Sequence, residues 1–286
     1  MSDVPQLNGP FPAPLAPRHR RRVQQVASRH GRRKSGLILC EGLRCCQEAL
    51  ARRPGWLEFG VCTAAFAESA PGLALRQTCH RLGRELVLAD DREFAALAAT
   101  TNPQGILCIL NRPPADVPLP QVLRPPFVLV LDRVGEPGNL GTILRTAWAV
   151  GLQQVWFTNG TTDPFGPKAI RAGMGAQFAL DLREYPGLPE IRTALQRLGL
   201  ERLWLAVPRG GVSCFAGEFD FRGSGLVIGN EATGVTACAG AETVTIPMPG
   251  MSESLNAAQA ATVLLFEAVR RGFLPPDPLP EPVRDR

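Results

Sequence analysis

The feature that most constrains the fold is the uninterrupted apolar run Phe127–Leu131, which a glycine-rich turn and a helical pattern over Asn139–Val150 follow directly. Such a run is typical of a strand buried on both faces of a parallel sheet. Similar runs predict strands at Val155–Thr158, Leu203–Val207, Leu226–Gly229 and Thr243–Ile246, and helical patterns lie near Pro189–Leu198 and Asn256–Arg271. We therefore predict an α/β domain with a mostly parallel sheet over residues 127–274.

A second, smaller α/β domain is predicted upstream, because short β-rich runs alternate with helical patterns between Gly36 and Leu110. We place this domain at residues 18–112. Residues 113–126 are rich in proline and predict a semi-rigid linker. The proline-rich ends, residues 1–17 and 275–286, are predicted to be flexible tails.

Positive charge is concentrated near the N-terminus, where no Asp or Glu occurs between Val4 and Cys40. The net charge of the chain is +5. A basic arm on a nearly neutral body is typical of proteins that bind a polyanion. The candidate contacts in the arm, which spans Arg18–Lys34, are Arg20, Arg21, Arg22, Arg32, Arg33 and Lys34. The alternative is a solvated basic tail without a partner.

Several classes of protein are disfavoured by simple counts. No apolar run approaches the length of about 18 residues that a membrane span needs, and the N-terminus lacks a secretory h-region. We therefore expect a cytoplasmic protein, with an organellar matrix still open. The eight cysteines form no Cys-x-x-Cys pair, which favours buried free thiols. All three histidines lie at or before His80, so histidine chemistry is excluded downstream, and we expect no metal.

Three segments that follow predicted strands could carry chemistry, because ligand sites in α/β sheets lie beyond the carboxyl ends of strands. In the first, the glycines at positions 135, 138 and 141 do not fit Gly-x-Gly-x-x-Gly, and no P-loop follows. This spacing disfavours a nicotinamide oxidoreductase. Asn139 and Arg145 remain as polar candidates, with a helix cap and a solvated charge as the alternative interpretation.

The second and third segments also combine glycine or proline with polar residues. Glu231 lies between Gly229 and Gly234, and Ser254 and Asn256 precede an apolar helix. Glu231 could instead decorate a turn, and the other two could be helix caps. A serine hydrolase is excluded, because the third segment lacks a nucleophile elbow and no histidine follows.

Taken together, the three segments resemble the SpoU (TrmH-like) family of SPOUT RNA 2′-O-ribose methyltransferases. The family's Asn-x-Gly-x-x-x-Arg motif matches residues 139–145, its Gly-x-Glu-x-x-Gly motif matches residues 229–234, and its Ile-Pro-Met-x-Gly and Ser-Leu-Asn elements match residues 246–250 and 254–256. The first domain resembles the L30e-like RNA-binding module that many members carry.

The resemblance implies a trefoil-knotted catalytic domain that acts as a homodimer with S-adenosylmethionine as methyl donor. It places Gly229, Ile246, Met248 and Leu255 in the cofactor pocket, and it makes Arg145 the catalytic candidate, oriented by Asn139, Glu231, Ser254 and Asn256. Large-subunit rRNA is the expected substrate, gripped by the L30e-like domain. A tRNA 2′-O-methyltransferase and a catalytically silent RNA-binding member remain alternatives.

Overall fold

The computed structural model describes residues 11–114, 119 and 127–274. These residues form two compact units. Unit 1 contains the described residues up to Pro114 together with Phe165–Phe178, and unit 2 contains those between Ala115 and Pro164 and from Ala179 onward. Most of the linker predicted at 113–126 and all of the tail predicted at 275–286 lie outside the described residues.

Unit 1 has a five-stranded sheet covered by helices. Its elements are β1 (Ala13–Pro14), α1 (Pro17–Val26), α2 (Arg29–Ser35), β2 (Leu37–Glu41), α3 (Leu43–Arg52), β3 (Leu57–Cys62), α4 (Ala64–Glu68), α5 (Ala70–Arg81), β4 (Glu85–Leu88), α6 (Asp91–Leu97), β5 (Ile106–Asn111) and, from the later segment, α8 (Pro167–Gly173), with short 3-10 helices at Pro54–Trp56 and Ala176–Phe178. The strand order is β1-β4-β3-β5-β2. β5 runs antiparallel to β2 and β3, and the other pairs are parallel.

The predicted basic arm is helical in the structure. α1 buries Val23 and Val26 against the sheet, because these residues lie three apart and share one helix face. The side chain of Ser28 caps α2 by accepting a hydrogen bond from the backbone N–H of Gly31 at 3.0 Å. Gly36 ends α2 with a φ of 64°, a conformation that glycine adopts without strain.

Two features of unit 1 differ from the sequence-based predictions. Within the segment predicted as a flexible tail over residues 1–17, Ala13 and Pro14 form β1, which pairs with β4, and the N–H of Leu15 donates to the carbonyl of Leu88 at 2.7 Å. The prediction that all cysteines are free thiols is wrong for Cys40 and Cys45, which form a disulfide. The Gly42 turn between β2 and α3 brings their Cα atoms to 6.2 Å, within bridging range.

Unit 2 contains the predicted parallel sheet. Its elements are β6 (Phe127–Leu131), α7 (Pro137–Ala149), β7 (Gln154–Thr158), β8 (Asp181–Tyr185), α9 (Leu188–Arg197), β9 (Arg202–Ala206), β10 (Val212–Ser213), β11 (Ser224–Ile228), β12 (Glu242–Thr245) and α10 (Ala257–Arg270). The seven strands are all parallel, in the order β10-β12-β9-β11-β6-β7-β8. The α/β class is thus confirmed, and the trefoil knot stays a prediction.

This strand order positions the three candidate segments. β11 lies between β9 and β6, with Ile228 paired to Leu131, so the loops that follow β6 and β11 begin side by side. β6 and β11 are buried along their whole length, as their apolar sequences require. α7 packs against α10, the helix that follows the third segment. No helix in the described part of the chain combines the length and apolar character needed to cross a membrane.

Candidate active site

A cavity of about 240 Å³ lies in unit 2 beyond the carboxyl ends of β9, β11 and β12. It is lined by all four residues predicted to contact the cofactor: Gly229, Ile246, Met248 and Leu255. Ser254 and Glu231 also line it. The cavity therefore brings together the second and third sequence motifs, and its lining is largely apolar with a few polar groups.

Gly229 has no space for a side chain. A Cβ atom at this position would lie 2.5 Å from the carbonyl carbon of Gly234 and 2.5 Å from the N atom of Val235. The loop after β11 folds back on itself here, since the N–H of Asn230 donates to the carbonyl of Gly234 at 3.1 Å and the reverse bond is 3.0 Å long. Glycine thus allows bare backbone to form one wall of the cavity.

A chain of hydrogen bonds joins the three motifs through Glu231, which lines the cavity. The side chain of Asn256 donates to Asn139 Oδ1 at 3.0 Å, and Asn139 Nδ2 donates to Glu231 Oε1 at 2.7 Å. The other carboxylate oxygen of Glu231 accepts from the backbone N–H of Gly135 at 3.2 Å. Each amide thereby has a fixed orientation, and the carboxylate is held between two loops.

The side chain of Glu231 is ionised in this site. Partial burial acts to raise the pKa of Glu231, but hydrogen bonds from the Asn139 side chain and from backbone N–H groups, including those of Gly135 and Glu136, outweigh it. The pKa of Glu231 is therefore below its ordinary value. The group acts as a hydrogen-bond acceptor and a fixed negative charge at neutral pH.

Arg145 takes no part in the chain of hydrogen bonds that joins Asn139, Glu231 and Asn256. It lies on an exposed part of α7, and among the described residues it makes no hydrogen bond or ion pair. The structure therefore connects Asn139, Glu231 and Asn256, places Ser254 at the cavity, and leaves the guanidinium of Arg145 available to another molecule.

The basic residues predicted to bind RNA are partly engaged within unit 1. Arg20 pairs with Glu93 and Arg22 pairs with Glu58. Arg32 is buried and donates to the carbonyl of Val26 at 2.9 Å. Arg21, Arg33 and Lys34 are exposed.

Two residues that fasten the site were missed by sequence reasoning. Asn230 Nδ2 donates to the carbonyl of Arg133 at 2.8 Å, and its Oδ1 accepts from the N–H groups of Ala232 and Thr233. Asp132 is buried and accepts from the hydroxyl of Thr158 at 2.8 Å. The available signal was their position, since a short Asx side chain directly after a strand favours a local turn.

Metal chemistry has no candidate centre in the part of the chain that the structure describes. No group of three or more His, Cys, Asp or Glu side chains is arranged there to hold a metal ion.

Comparison with known families gives two matches. The family model described as the SpoU rRNA Methylase family matches residues 126–266, and the one described as the MRM3-like substrate binding domain matches residues 20–108. The first match covers β6 to most of α10, and the second covers most of unit 1.

Similar whole chains support the same assignment. An uncharacterized tRNA/rRNA methyltransferase of Synechocystis sp. is 34% identical over 260 residues, covering 88% of this chain and 90% of that protein. A 23S rRNA (guanosine(2553)-2′-O)-methyltransferase of Bacillus subtilis is 28% identical, covering 85% and 92%. The crystal structure of the SpoU methyltransferase AviRb from Streptomyces viridochromogenes with AdoMet has a TM-score of 0.74 at 28% identity, covering 90% and 99%.

Proposed function

The chain belongs to the SpoU family of rRNA methylases, and from this premise we propose that it transfers a methyl group from S-adenosylmethionine to a ribose 2′-hydroxyl of large-subunit rRNA. The observation that supports this most directly is the cavity of unit 2, because its lining contains all four cofactor positions and meets the Glu231–Asn139–Asn256 chain. The Bacillus subtilis relative, which is named as a 23S rRNA 2′-O-methyltransferase, supports this choice of substrate.

In our proposal this cavity holds the adenosine part of the cofactor. Ile246, Met248 and Leu255 provide apolar side chains against which a purine ring can pack. The bare backbone at Gly229 lets the cofactor approach the chain closely. When bound, S-adenosylmethionine supplies an activated methyl group whose transfer needs an aligned nucleophile.

In our proposal, the chain of hydrogen bonds through Asn139, Glu231 and Asn256 supplies that alignment. Asn139, Glu231 and Asn256 hold one another in fixed orientations, so they can position the ribose hydroxyl without reorganising. Ser254 lies at the same cavity and adds a hydroxyl. Preorganised groups of this kind lower the barrier because their orientation does not have to be found during the reaction.

Arg145 is assigned the contact with the RNA beside the reacting hydroxyl. Its guanidinium is exposed and positively charged. It is therefore suited to hold a phosphate and to stabilise the negative charge that develops as the hydroxyl loses its proton. Substitution by lysine keeps the charge but loses the planar fork, so Arg145→Lys should retain more RNA affinity than Arg145→Ala while both lose turnover.

We further propose that the protein acts as a homodimer in the cytoplasm, where ribosomes are assembled. Phe266 is 53% exposed on α10, although most residues around it in this helix are buried. Arg145 is exposed on α7, which packs beside α10. A second copy that covers these helices would bury Phe266 and bring a second protomer close to Arg145.

The cofactor assignment can be tested with two glycine variants. Gly229→Ala introduces a Cβ that collides with backbone, whereas Gly217 lies in unit 2 with no atom within 4 Å of an added Cβ. We expect titration calorimetry to show loss of S-adenosylmethionine binding in Gly229→Ala and wild-type affinity in Gly217→Ala. Met248→Glu, which places a charge on the apolar wall, should also lose binding while unfolding at the wild-type temperature. Wild-type affinity in both cavity variants would place the cofactor elsewhere.

A further inference from the structure

Unit 1 contains a second cavity, of about 290 Å³, with no residue of α1 in its lining. Its lining residues come from the end of β2, the start of α3, the loop before β5, and α8 and its end: Glu41, Gly42, Arg44, Cys45, Thr100, Asn102, Gln104, Ile170, Arg171 and Met174. The sequence motifs of the methyltransferase reaction include none of them. Its volume is near the lower end of the range for small-molecule sites.

The charge at this cavity is positive. Arg44 is exposed and makes no hydrogen bond or ion pair with any residue the structure describes. Arg171 is partly exposed and uses one Nη atom to donate to the carbonyl of Ala99 at 3.3 Å. The acid in the lining, Glu41, is buried, and its carboxylate accepts from the N–H of Ala99 and the hydroxyl of Thr100. Both carboxylate oxygens of Glu41 thus accept hydrogen bonds from the loop before β5. The positive charge of the two arginines therefore favours an anion in the cavity.

The remaining lining suits a flat ring with polar edges. Ile170 and Met174 give an apolar wall. Asn102 is exposed with no hydrogen bond to another described residue, and Gln104 is held by its Oε1, which accepts from the N–H of Leu43 at 2.9 Å. Unpaired RNA bases are recognised by this combination of apolar packing, amide hydrogen bonds and arginine. An anion without a base would leave the wall and the amides unused.

We propose that this cavity of unit 1 holds one unpaired nucleotide of the RNA substrate, with its phosphate on Arg44 and Arg171 and its base against Ile170 and Met174. This inference rests on the proposed function, because it assigns the grip on the RNA that the reaction in unit 2 requires. It also explains how unit 1 can bind the RNA although two arginines of the basic arm, Arg20 and Arg22, are already paired with Glu93 and Glu58.

The test uses the full chain and an rRNA fragment that the wild-type protein methylates. Arg44→Ala should raise the Kd for RNA several-fold and reduce the slope of log Kd against log salt by about 0.7, the value for one phosphate contact on a single strand. Asn102→Ala should raise the Kd without changing the slope, because the lost group is neutral. In both variants the KM for RNA should rise while kcat and the Kd for S-adenosylmethionine stay constant.

The matched control is Arg92→Ala, which removes one exposed arginine of unit 1 outside the cavity. It should keep the wild-type Kd and salt slope. If Arg44→Ala and Asn102→Ala both behave like Arg92→Ala, the cavity does not bind the RNA, although the proposed function stands. If the wild-type protein methylates no RNA at all, the proposed function itself fails.

Discussion

Asn230 shows how one side chain can hold an active site without contacting the reacting atoms. It ties the loop after β6 to the loop after β11 through the carbonyl of Arg133 and the N–H groups of Ala232 and Thr233. The same two loops carry Gly135 and Glu231, which bond to each other. Asn230 is therefore a positioning residue for both the cofactor cavity and the chain of hydrogen bonds through Glu231.

Removal of this side chain should weaken cofactor binding as well as the fold. Asn230→Ala leaves one carbonyl and two N–H groups without their partner, at a cost of about 1 kcal/mol for each bond. We expect a rise of about tenfold or more in the Kd for S-adenosylmethionine, measured by calorimetry. Asn230→Asp keeps the acceptor and should lie between the alanine variant and the wild type.

The control for this experiment is Asn159→Ala. Asn159 is an exposed asparagine at the end of β7 in unit 2, and its side chain makes no hydrogen bond to another described residue. Equal affinities in Asn230→Ala and Asn159→Ala would contradict the positioning role.

Individual site residues were predictable where chemistry and spacing coincide. More than a hundred positions separate Asn139 from Asn256, and Glu231 lies between them in the sequence. The motifs that contain these residues predicted one site, and the structure joins the three side chains by hydrogen bonds. The pairing of Arg20 and Arg22 with acids was not predictable, because Glu93 and Glu58 are distant in sequence and come near only when the sheet of unit 1 forms.

At the scale of whole elements, the end of α10 is fastened to the segment between β10 and β11. Arg271 donates to the carbonyls of Cys214 and Phe219, at 2.6 Å each, and to Glu267 Oε1 at 2.6 Å. The side chain of Arg270 also donates to Glu267. The buried carboxylate of Glu267 is thus the anchor of two arginines at the C-terminal end of the helix that packs on α7.

The interaction of Glu267 with Arg270 and Arg271, which we call the clamp, predicts how the free energy of unfolding depends on pH. Hydrogen bonds from Arg270 lower the pKa of Glu267 to about 2, against the opposing effect of burial and with help from Arg271. Because the folded pKa is below the unfolded one, the stabilisation is complete above the unfolded pKa of about 4.3 and is lost as the pH falls toward 2. Urea midpoints between pH 7 and 3 should fall less steeply in Glu267→Gln than in the wild type.

Glu253→Gln is the control for the clamp, because Glu253 is an exposed acid in the same unit. It should retain the wild-type dependence of the urea midpoint on pH. The clamp is refuted if Glu267→Gln and Glu253→Gln give parallel curves.

Elements were predictable from sequence where burial dictates composition. The apolar run at Phe127–Leu131 coincides with β6, and the strands predicted at Val155–Thr158 and Leu226–Gly229 match β7 and β11 to within about two residues at each end. α1 and α2 were missed because their arginines and lysine outnumber the few buried residues that mark the inner face, such as Val23 and Val26. α8 lies in unit 1 although its sequence neighbours lie in unit 2, which local periodicity cannot reveal.

At the scale of the whole molecule, the dimer proposal makes a quantitative prediction for mixed protomers. In the proposed dimer, Arg145 of one protomer acts at the cofactor cavity of its partner. A homodimer of Arg145→Ala protomers and a homodimer of Gly229→Ala protomers are then both inactive. A heterodimer of the two has one intact site. After unfolding and refolding an equal mixture, half of the dimers are mixed, so about a quarter of wild-type activity should return.

The contrary outcome is equally clear. If each active site is built within one protomer, every site in the mixture lacks either Arg145 or the cofactor, and no activity returns. Refolded wild-type protein is the reference, and sedimentation should show a dimer in all samples. A Phe266→Glu variant should sediment as a monomer, because it places a charge in the proposed interface.

The most direct test of the central claim is to locate the transferred methyl group chemically. The wild-type protein and Arg145→Ala are incubated with tritiated S-adenosylmethionine and 23S rRNA, and the RNA is hydrolysed with alkali. Alkaline cleavage needs a free 2′-hydroxyl, so a 2′-O-methyl group leaves a labelled, alkali-resistant dinucleotide. We predict that label in this fraction from the wild type and its loss in Arg145→Ala. Label that appears only in mononucleotides would mean base methylation and would contradict the account.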